Sequence, residues 1–202
     1  MTAYKNYIQH FPIRCMDVLE TFEWDASEID REVTLSLAIA TPCLIVPYER
    51  LNSEDHPSKD RERFVEAKKT WDVELRKKCG KSCLWRNSFE DTWRFKQLDE
   101  VSGDPDSWKL NNETEPITAK KTKLVLSILR NALAHGNIWT TGDPIETLVF
   151  VSRVCYRKPQ GPFNTLQCSP QLLVQFIKNW VGFLKDLEIP AEPSVETKFF
   201  RD

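Results

Sequence analysis

Residues 120–139, KKTKLVLSILRNALAHGNIW, decide how this chain is read. At 100° per residue from Lys120, the apolar Val125, Ile128, Leu129, Ala132 and Leu133 fall in one arc from about 80° to 220°. Lys120, Lys123, Ser127, Arg130, Asn131 and His135 fall on the opposite side, from about 280° to 60°. The spacing predicts an amphipathic helix over Thr118 to His135 that buries one face and carries a narrow polar stripe on the other. Thr118 suits an N-cap, and Gly136 stands where a left-handed C-terminal cap belongs.

Downstream, Ile138-Trp139 reads as a short strand, residues 140–144 as a turn, and the β-rich run Glu146 to Tyr156 as its return, giving one hairpin. Ser169-Pro170 is a cap and first-turn pair for a last helix to about Leu187, whose apolar face holds Leu173, Phe176, Ile177, Trp180 and Leu184. Upstream, residues 4–22 read as a helix interrupted by Pro12. A second helix opens near Asp25 or Ser27, runs through Val33, Leu37 and Ile39, and is kinked and ended by Pro42 and Pro47. Residues 52–60 form a polar loop. Arg61 to Lys78 form a charged helix with Phe64, Ala67, Trp71 and Leu75 on one face. Patterning is weak from Cys79 to Glu115: Trp85, Phe89, Trp93 and Phe95 suggest a short helix, and residues 102–116 a loop. The expected architecture is mainly α with one β-hairpin before the C-terminal helix, as a single domain over residues 1–190 with a tail at 191–202.

The 202 residues carry 28 Lys and Arg against 30 Asp and Glu, a net charge of −2. That excludes a wholesale basic nucleic-acid coat but leaves room for a local basic stripe. With 41% hydrophobic and 29% charged residues, the chain is neither disordered nor membrane-spanning in type. No apolar leader opens it, and the most apolar stretch, Val33 to Val46, is short for a membrane span and contains Pro42. The six Cys read as free buried thiols of a reducing cytoplasm, where the Asn112-Glu113-Thr114 sequon is silent. Gly80-Lys81-Ser82 lacks the earlier glycine and the strand of a phosphate loop. Cys79 and Cys83, which read as two reduced thiols or a local disulfide, lack a second ligand pair for zinc, so no metal and no cofactor are expected. The acidic clusters at 90–91, 99–100 and 104–106 read as solvated surface, and Phe199-Phe200 gives no reading.

The chemistry sits on the polar stripe. Asn131 and His135 are one turn apart, and Arg130 lies about 7.5 Å from His135 along the axis. An imidazole moves protons near neutral pH, a guanidinium grips phosphate oxygens and stabilises developing charge, and an amide holds a hydroxyl or orients the imidazole. Alternatives stand beside each reading. His135 is also what a helix C-terminus favours as a cation. Lys120, Lys123 and Ser127, offered as substrate-binding residues, are also an ordinary solvated face. Trp139 could stack a base or sit in the core of the hairpin. Arg153, Arg157 and Lys158 extend the basic stripe.

Leu129-Arg130-Asn131-Ala132-Leu133-Ala134-His135 resembles the signature helix of the HEPN superfamily: an Arg, a polar residue that is often Asn, a few further residues, then His. The late position of the motif, followed by a hairpin and a closing helix, fits as well. Outside residues 118–187 the resemblance is loose, and 79–115 has the look of an insertion. The resemblance implies a helical bundle that forms a homodimer, with two motif helices facing across a cleft. Catalytic members are metal-independent endoribonucleases that drive the RNA 2′-OH onto the adjacent phosphate and leave a 2′,3′-cyclic phosphate and a 5′-OH. By position His135 is then the acid/base residue, Arg130 the charge stabiliser and Asn131 the orienting group. Such proteins commonly serve as toxins or in defence against phage, some silenced by a nucleotidyltransferase-type antitoxin. Others are inactive and only bind nucleotides or partner proteins.

Overall fold

The computed structural model describes residues 6–52, 64–86, 92–101, 105–108, 110, 114–154 and 161–190. The fold is mainly α: the described residues form five long helices and an antiparallel sheet. Helix α1 runs from Tyr7 to Glu28 without a break at Pro12, and Asn6 caps it by accepting the Gln9 N–H. The expected interruption is overridden by packing: Ile8, Pro12, Cys15, Met16 and Leu19 form one buried stripe. Asp25 and Ser27 lie in its last turn rather than opening a helix. Asp30, at φ 55°, turns the chain in the left-handed conformation that a short polar side chain tolerates.

Helix α2, Glu32–Asn52, passes through both Pro42 and Pro47 instead of ending there. At Pro47 the physical reason is visible. Proline has no N–H to donate to the carbonyl four residues back, here Cys43. The Trp180 indole N–H, from the last helix, donates to that carbonyl at 2.9 Å. A side chain 137 positions away thus replaces the bond the proline removes.

Helix α3, Val65–Arg76, buries Ala67, Trp71 and Leu75 as expected. Its Glu74 is almost fully buried and anchors the next turn. The carboxylate accepts from Ser82 Oγ at 2.6 Å, Cys83 N at 2.8 Å, Cys83 Sγ at 3.3 Å and Lys77 Nζ at 2.6 Å. Burial pushes the Glu74 carboxyl up, but the bonds from Lys77, Ser82 and Cys83 outweigh it and hold the group below the usual glutamate range. The same burial and the adjacent Glu74 charge push the Cys83 thiol up to about 11. A depressed carboxylate stabilises the fold above its unfolded value of about 4.3, and that contribution is lost as pH falls through the lower folded value. Acid titration of unfolding is therefore expected to cost the wild type more stability below about pH 4 than it costs Glu74→Gln. Equal losses would remove Glu74 from the acid transition.

The sequence expectation fails most clearly over 79–115. Trp93 and Phe95 do not anchor a helix: β1, Arg94–Leu98, pairs with β2, Glu115–Pro116, and with β5, Phe163–Cys168. The predicted hairpin is present as β3, Ile138–Thr141, and β4, Thr147–Arg153, but among the described residues it is one edge of a five-stranded sheet in the order β2-β1-β5-β4-β3. Helix α5, Pro170–Lys185, closes the chain behind the Ser169 cap, whose side chain accepts the Leu172 N–H. Gln9 of α1 donates to the Leu184, Lys185 and Leu187 carbonyls at the end of α5.

The main apolar core runs between the helices and one face of the sheet and holds Trp71, Trp85, Trp93, Phe176 and Trp180. Trp71 meets Trp180 edge-on at 5.5 Å, and Trp93 meets Phe176 at 5.9 Å. A smaller cluster of Trp108, Leu110, Val149 and Val151 covers the other sheet face. The described cysteines, 15, 43, 79, 83 and 168, are free thiols. Asp99 and Glu100 are exposed as expected, whereas residues 90–91 and 104, Phe89, Cys155, Arg157, Lys158, Phe199 and Phe200 lie outside the described residues, as does the proposed tail. No described helix is long and apolar enough to cross a membrane.

Candidate functional site

Helix α4, Thr122–His135, is the helix the motif predicted, opening four residues later than expected. A tight turn over Ile117–Ala119 takes Thr118, and Lys121 occupies the cap position without a side-chain cap. Val125, Ile128, Leu129, Ala132 and Leu133 are buried, matching the apolar arc, and Leu126, just outside that arc, is buried as well. Gly136 ends the helix at φ 67°, and Asn137 N–H returns to the Ala132 carbonyl at 2.9 Å. A Cβ on Gly136 would meet nothing within 4 Å, so the requirement there is backbone conformation alone.

The polar stripe is pinned from both sides. On the α2 side, Ser127 Oγ and Tyr48 OH are hydrogen-bonded at 3.1 Å. One turn on, Arg130 Nε donates to Glu49 Oε1 at 2.5 Å and Nη2 closes an ion pair on the same oxygen. Arg130 Nη1 donates to Asn131 Oδ1 at 2.8 Å, and Asn131 Nδ2 donates to Ser152 Oγ at 3.1 Å on β4. A continuous chain of bonds, Glu49–Arg130–Asn131–Ser152, therefore crosses α4 from α2 to the sheet. The guanidinium has five N–H donors, of which three are engaged among the described residues, so two remain to meet a ligand. Its side chain is 30% exposed. His135 is the last residue of α4, exposed, one turn beyond Asn131.

Arg130 and Asn131 are thus brought together, with His135 and Ser127 each about one turn away along the same helix. Lys123 is exposed on that helix. Lys120 and Trp139 are not brought to this place. Lys120 sits beyond the other end of α4, about 22 Å from His135 along the axis. It is ion-paired with Glu115 and lies 4.1 Å over the Phe95 ring. Trp139 lies on the sheet face opposite α4, partly buried and edge-on to Trp108 at 5.2 Å. Arg153 stands over the Phe163 ring at 5.2 Å.

Sequence reasoning missed Glu49 and Ser152. Ser152 had a signal: it shares a strand face with Leu148 and Phe150, where alternation calls for an apolar residue, and it is 3% exposed. Glu49 had none, since 81 positions separate it from Arg130. Ser152→Ala leaves the Asn131 amide short of one partner and is expected to cost about 1 kcal/mol in denaturant unfolding. No change would mean that the bond contributes nothing to holding Asn131.

A family model described as HEPN pEK499 p136 matches residues 1–189, taking in 79–115 as well as the motif helix. No curated protein and no solved structure matches the chain. With a match from the first helix through the last, over the fold and the Arg130–Asn131–His135 helix just described, the chain belongs to the HEPN pEK499 p136 family.

Proposed function

We propose that this HEPN protein is a metal-independent endoribonuclease, with residues 1–190 as its one domain and the site completed by a second copy of the chain. The observation that carries the reading is the bonded pair Arg130–Asn131, fixed by Glu49 and Ser152 one turn before an exposed His135. A guanidinium held at a set angle with donors to spare suits a phosphate whose charge grows as the 2′-oxygen attacks. The 2′-OH proton leaves to a base, the P–O5′ bond breaks, and the departing 5′-oxygen takes a proton from an acid. His135 performs one of these transfers. Attack and departure lie on opposite sides of the phosphorus, so the second transfer falls to the His135 of the other copy across a two-fold axis. Asn131, bonded to Arg130 and Ser152, orients the guanidinium in this account. Lys123 and Ser127 lie along the same stripe as substrate contacts, and Lys120 contacts substrate farther out. Trp139 is left to the sheet core. The biological setting consistent with such an enzyme is a toxin or anti-phage role, with a nucleotidyltransferase-type antitoxin as the silencing partner.

One observation favours a second reading, a non-catalytic nucleotide-binding or protein-interaction module: the Glu49 carboxylate already neutralises Arg130. Total RNA incubated with the protein in EDTA separates the two. The nuclease reading expects fragments ending in 2′,3′-cyclic phosphate and 5′-OH, from a species sedimenting at twice 23.6 kDa. Nucleotide binding without turnover would establish the module instead.

A further inference from the structure

We propose that a groove beside the N-terminal half of α4 is a nucleobase subsite, binding one base of a single-stranded RNA next to the reacting phosphate; its role in cleavage rests on the ribonuclease reading, its binding does not. The groove encloses about 530 Å³, a volume within the range of small-molecule sites.

Its floor is a pair of amides. Gln97 on β1 and Asn164 on β5 are direct cross-strand partners, and Gln97 Nε2 donates to Asn164 Oδ1 at 3.2 Å. That bond leaves the Gln97 carbonyl as an acceptor beside the Asn164 amide N–H donors, the adjacent acceptor and donor that a base edge complements. The placement is unusual for this sheet. In the neighbouring row of that face Phe95, Leu166 and Phe150 are all buried and apolar, whereas the next row runs from exposed Gln97 to buried Asn164 and Ser152. Asn164 is only 8% exposed, so its polar atoms face little but the groove and Gln97.

Leu124 and Val154 also line the groove and are among the large apolar side chains left exposed, at 36% and 47%. Aliphatic walls over an amide floor are what a planar base needs: apolar contact on its faces and hydrogen bonds at its edge. At the rim Lys120 is ion-paired with Glu115.

The groove neighbours the candidate site through one cross-strand pair. Asn164 pairs across the strands with Ser152, which holds Asn131. Asn164 and the Ser152 that holds Asn131 are therefore one strand spacing apart, roughly 4.8 Å, with Gln97 one strand farther out. Leu124 and Asn131 are about 10 Å apart along α4. A base seated in the groove places the following backbone within reach of Arg130.

The test is a ¹H–¹⁵N titration of the full chain with each 5′-mononucleotide, with adenosine and inorganic phosphate as separate arms. The expected result is shifts at the Gln97 and Asn164 side-chain amides and at Leu124, seen with nucleotides and adenosine but not with phosphate. Affinity is expected to fall about tenfold in Asn164→Leu, the worth of roughly one hydrogen bond. Leu124→Glu, at an exposed position, is expected to give the same loss and guards against misfolding of the buried variant. Shifts with phosphate alone, shifts elsewhere, no shifts, or equal binding by wild type and Leu124→Glu would overturn the subsite. Binding at the groove by a protein that cleaves no RNA upholds it while removing the ribonuclease reading. Cleavage with an unchanged base preference in Leu124→Glu removes the subsite and leaves that reading intact.

Discussion

Arg130→Ala is expected to slow RNA cleavage by about 10²–10³-fold, the usual cost of deleting one donor group aimed at developing oxyanion charge. The side chain links Glu49 to Asn131, so the substitution removes charge stabilisation and loosens the amide together. The Arg130 and Glu49 side chains are 30% and 40% exposed. Such pairs contribute little, so stability should change by no more than about 1 kcal/mol. Arg130→Lys retains a charge but cannot bond Glu49 and Asn131 in one plane while presenting a fork to phosphate, so recovery should be partial. Initial rates on a defined RNA, with thermal denaturation of each variant, check both halves. A cleavage rate within a few-fold of wild type for Arg130→Ala would remove the guanidinium from the chemistry.

Trp180→Ala is expected to destabilise the fold by about 3–5 kcal/mol, enough to unfold a marginal domain. The indole is fully buried against Trp71 at 5.5 Å and Phe183 at 6.3 Å, so truncation opens a large cavity between α2, α3 and α5. It also strips the Cys43 carbonyl of its donor, which Pro47 cannot restore. Trp180→Phe isolates that second effect: most of the volume remains, but the N–H is gone, and the orphaned carbonyl costs about 1–3 kcal/mol. Denaturant unfolding of the two variants separates cavity from carbonyl. A Trp180→Phe variant as stable as wild type would show that α2 accommodates Pro47 without this bond.

The same bond explains which parts of the fold were legible in the sequence. Helix α4, the β3–β4 hairpin and α5 announce themselves through local signals: a sustained period, Gly136 past the last turn, a Gly-containing turn, Ser169 before Pro170. The course of α2 does not, because Pro47 is punctuation only until a distant partner compensates for it, and nothing near it names Trp180; α1 runs through Pro12 on packing. Strands β1 and β5 were missed for a different reason. The sheet face toward α4 mixes buried apolar Phe95 and Leu166 with exposed Gln97 and buried Asn164, which erases the alternation that marks a strand. Those polar residues are also the floor of the groove, so the feature that hid the strands is the one that gives them a ligand chemistry. At the candidate site the residues carried by one helix, Arg130, Asn131 and His135, were readable from spacing. Their supports, Glu49 and Ser152, come from other elements and became evident only with the fold.

The central claim is that His135 moves a proton during metal-free RNA cleavage. The most direct measurement is the rate at which wild type and His135→Ala cut a short end-labelled RNA in EDTA, with circular dichroism confirming that both are folded. His135 is exposed at a helix end, so its removal should leave the fold intact. The account predicts cleavage by the wild type to a 2′,3′-cyclic phosphate end and a loss of about 10²–10⁴-fold in the variant. Equal cleavage by both proteins would contradict it.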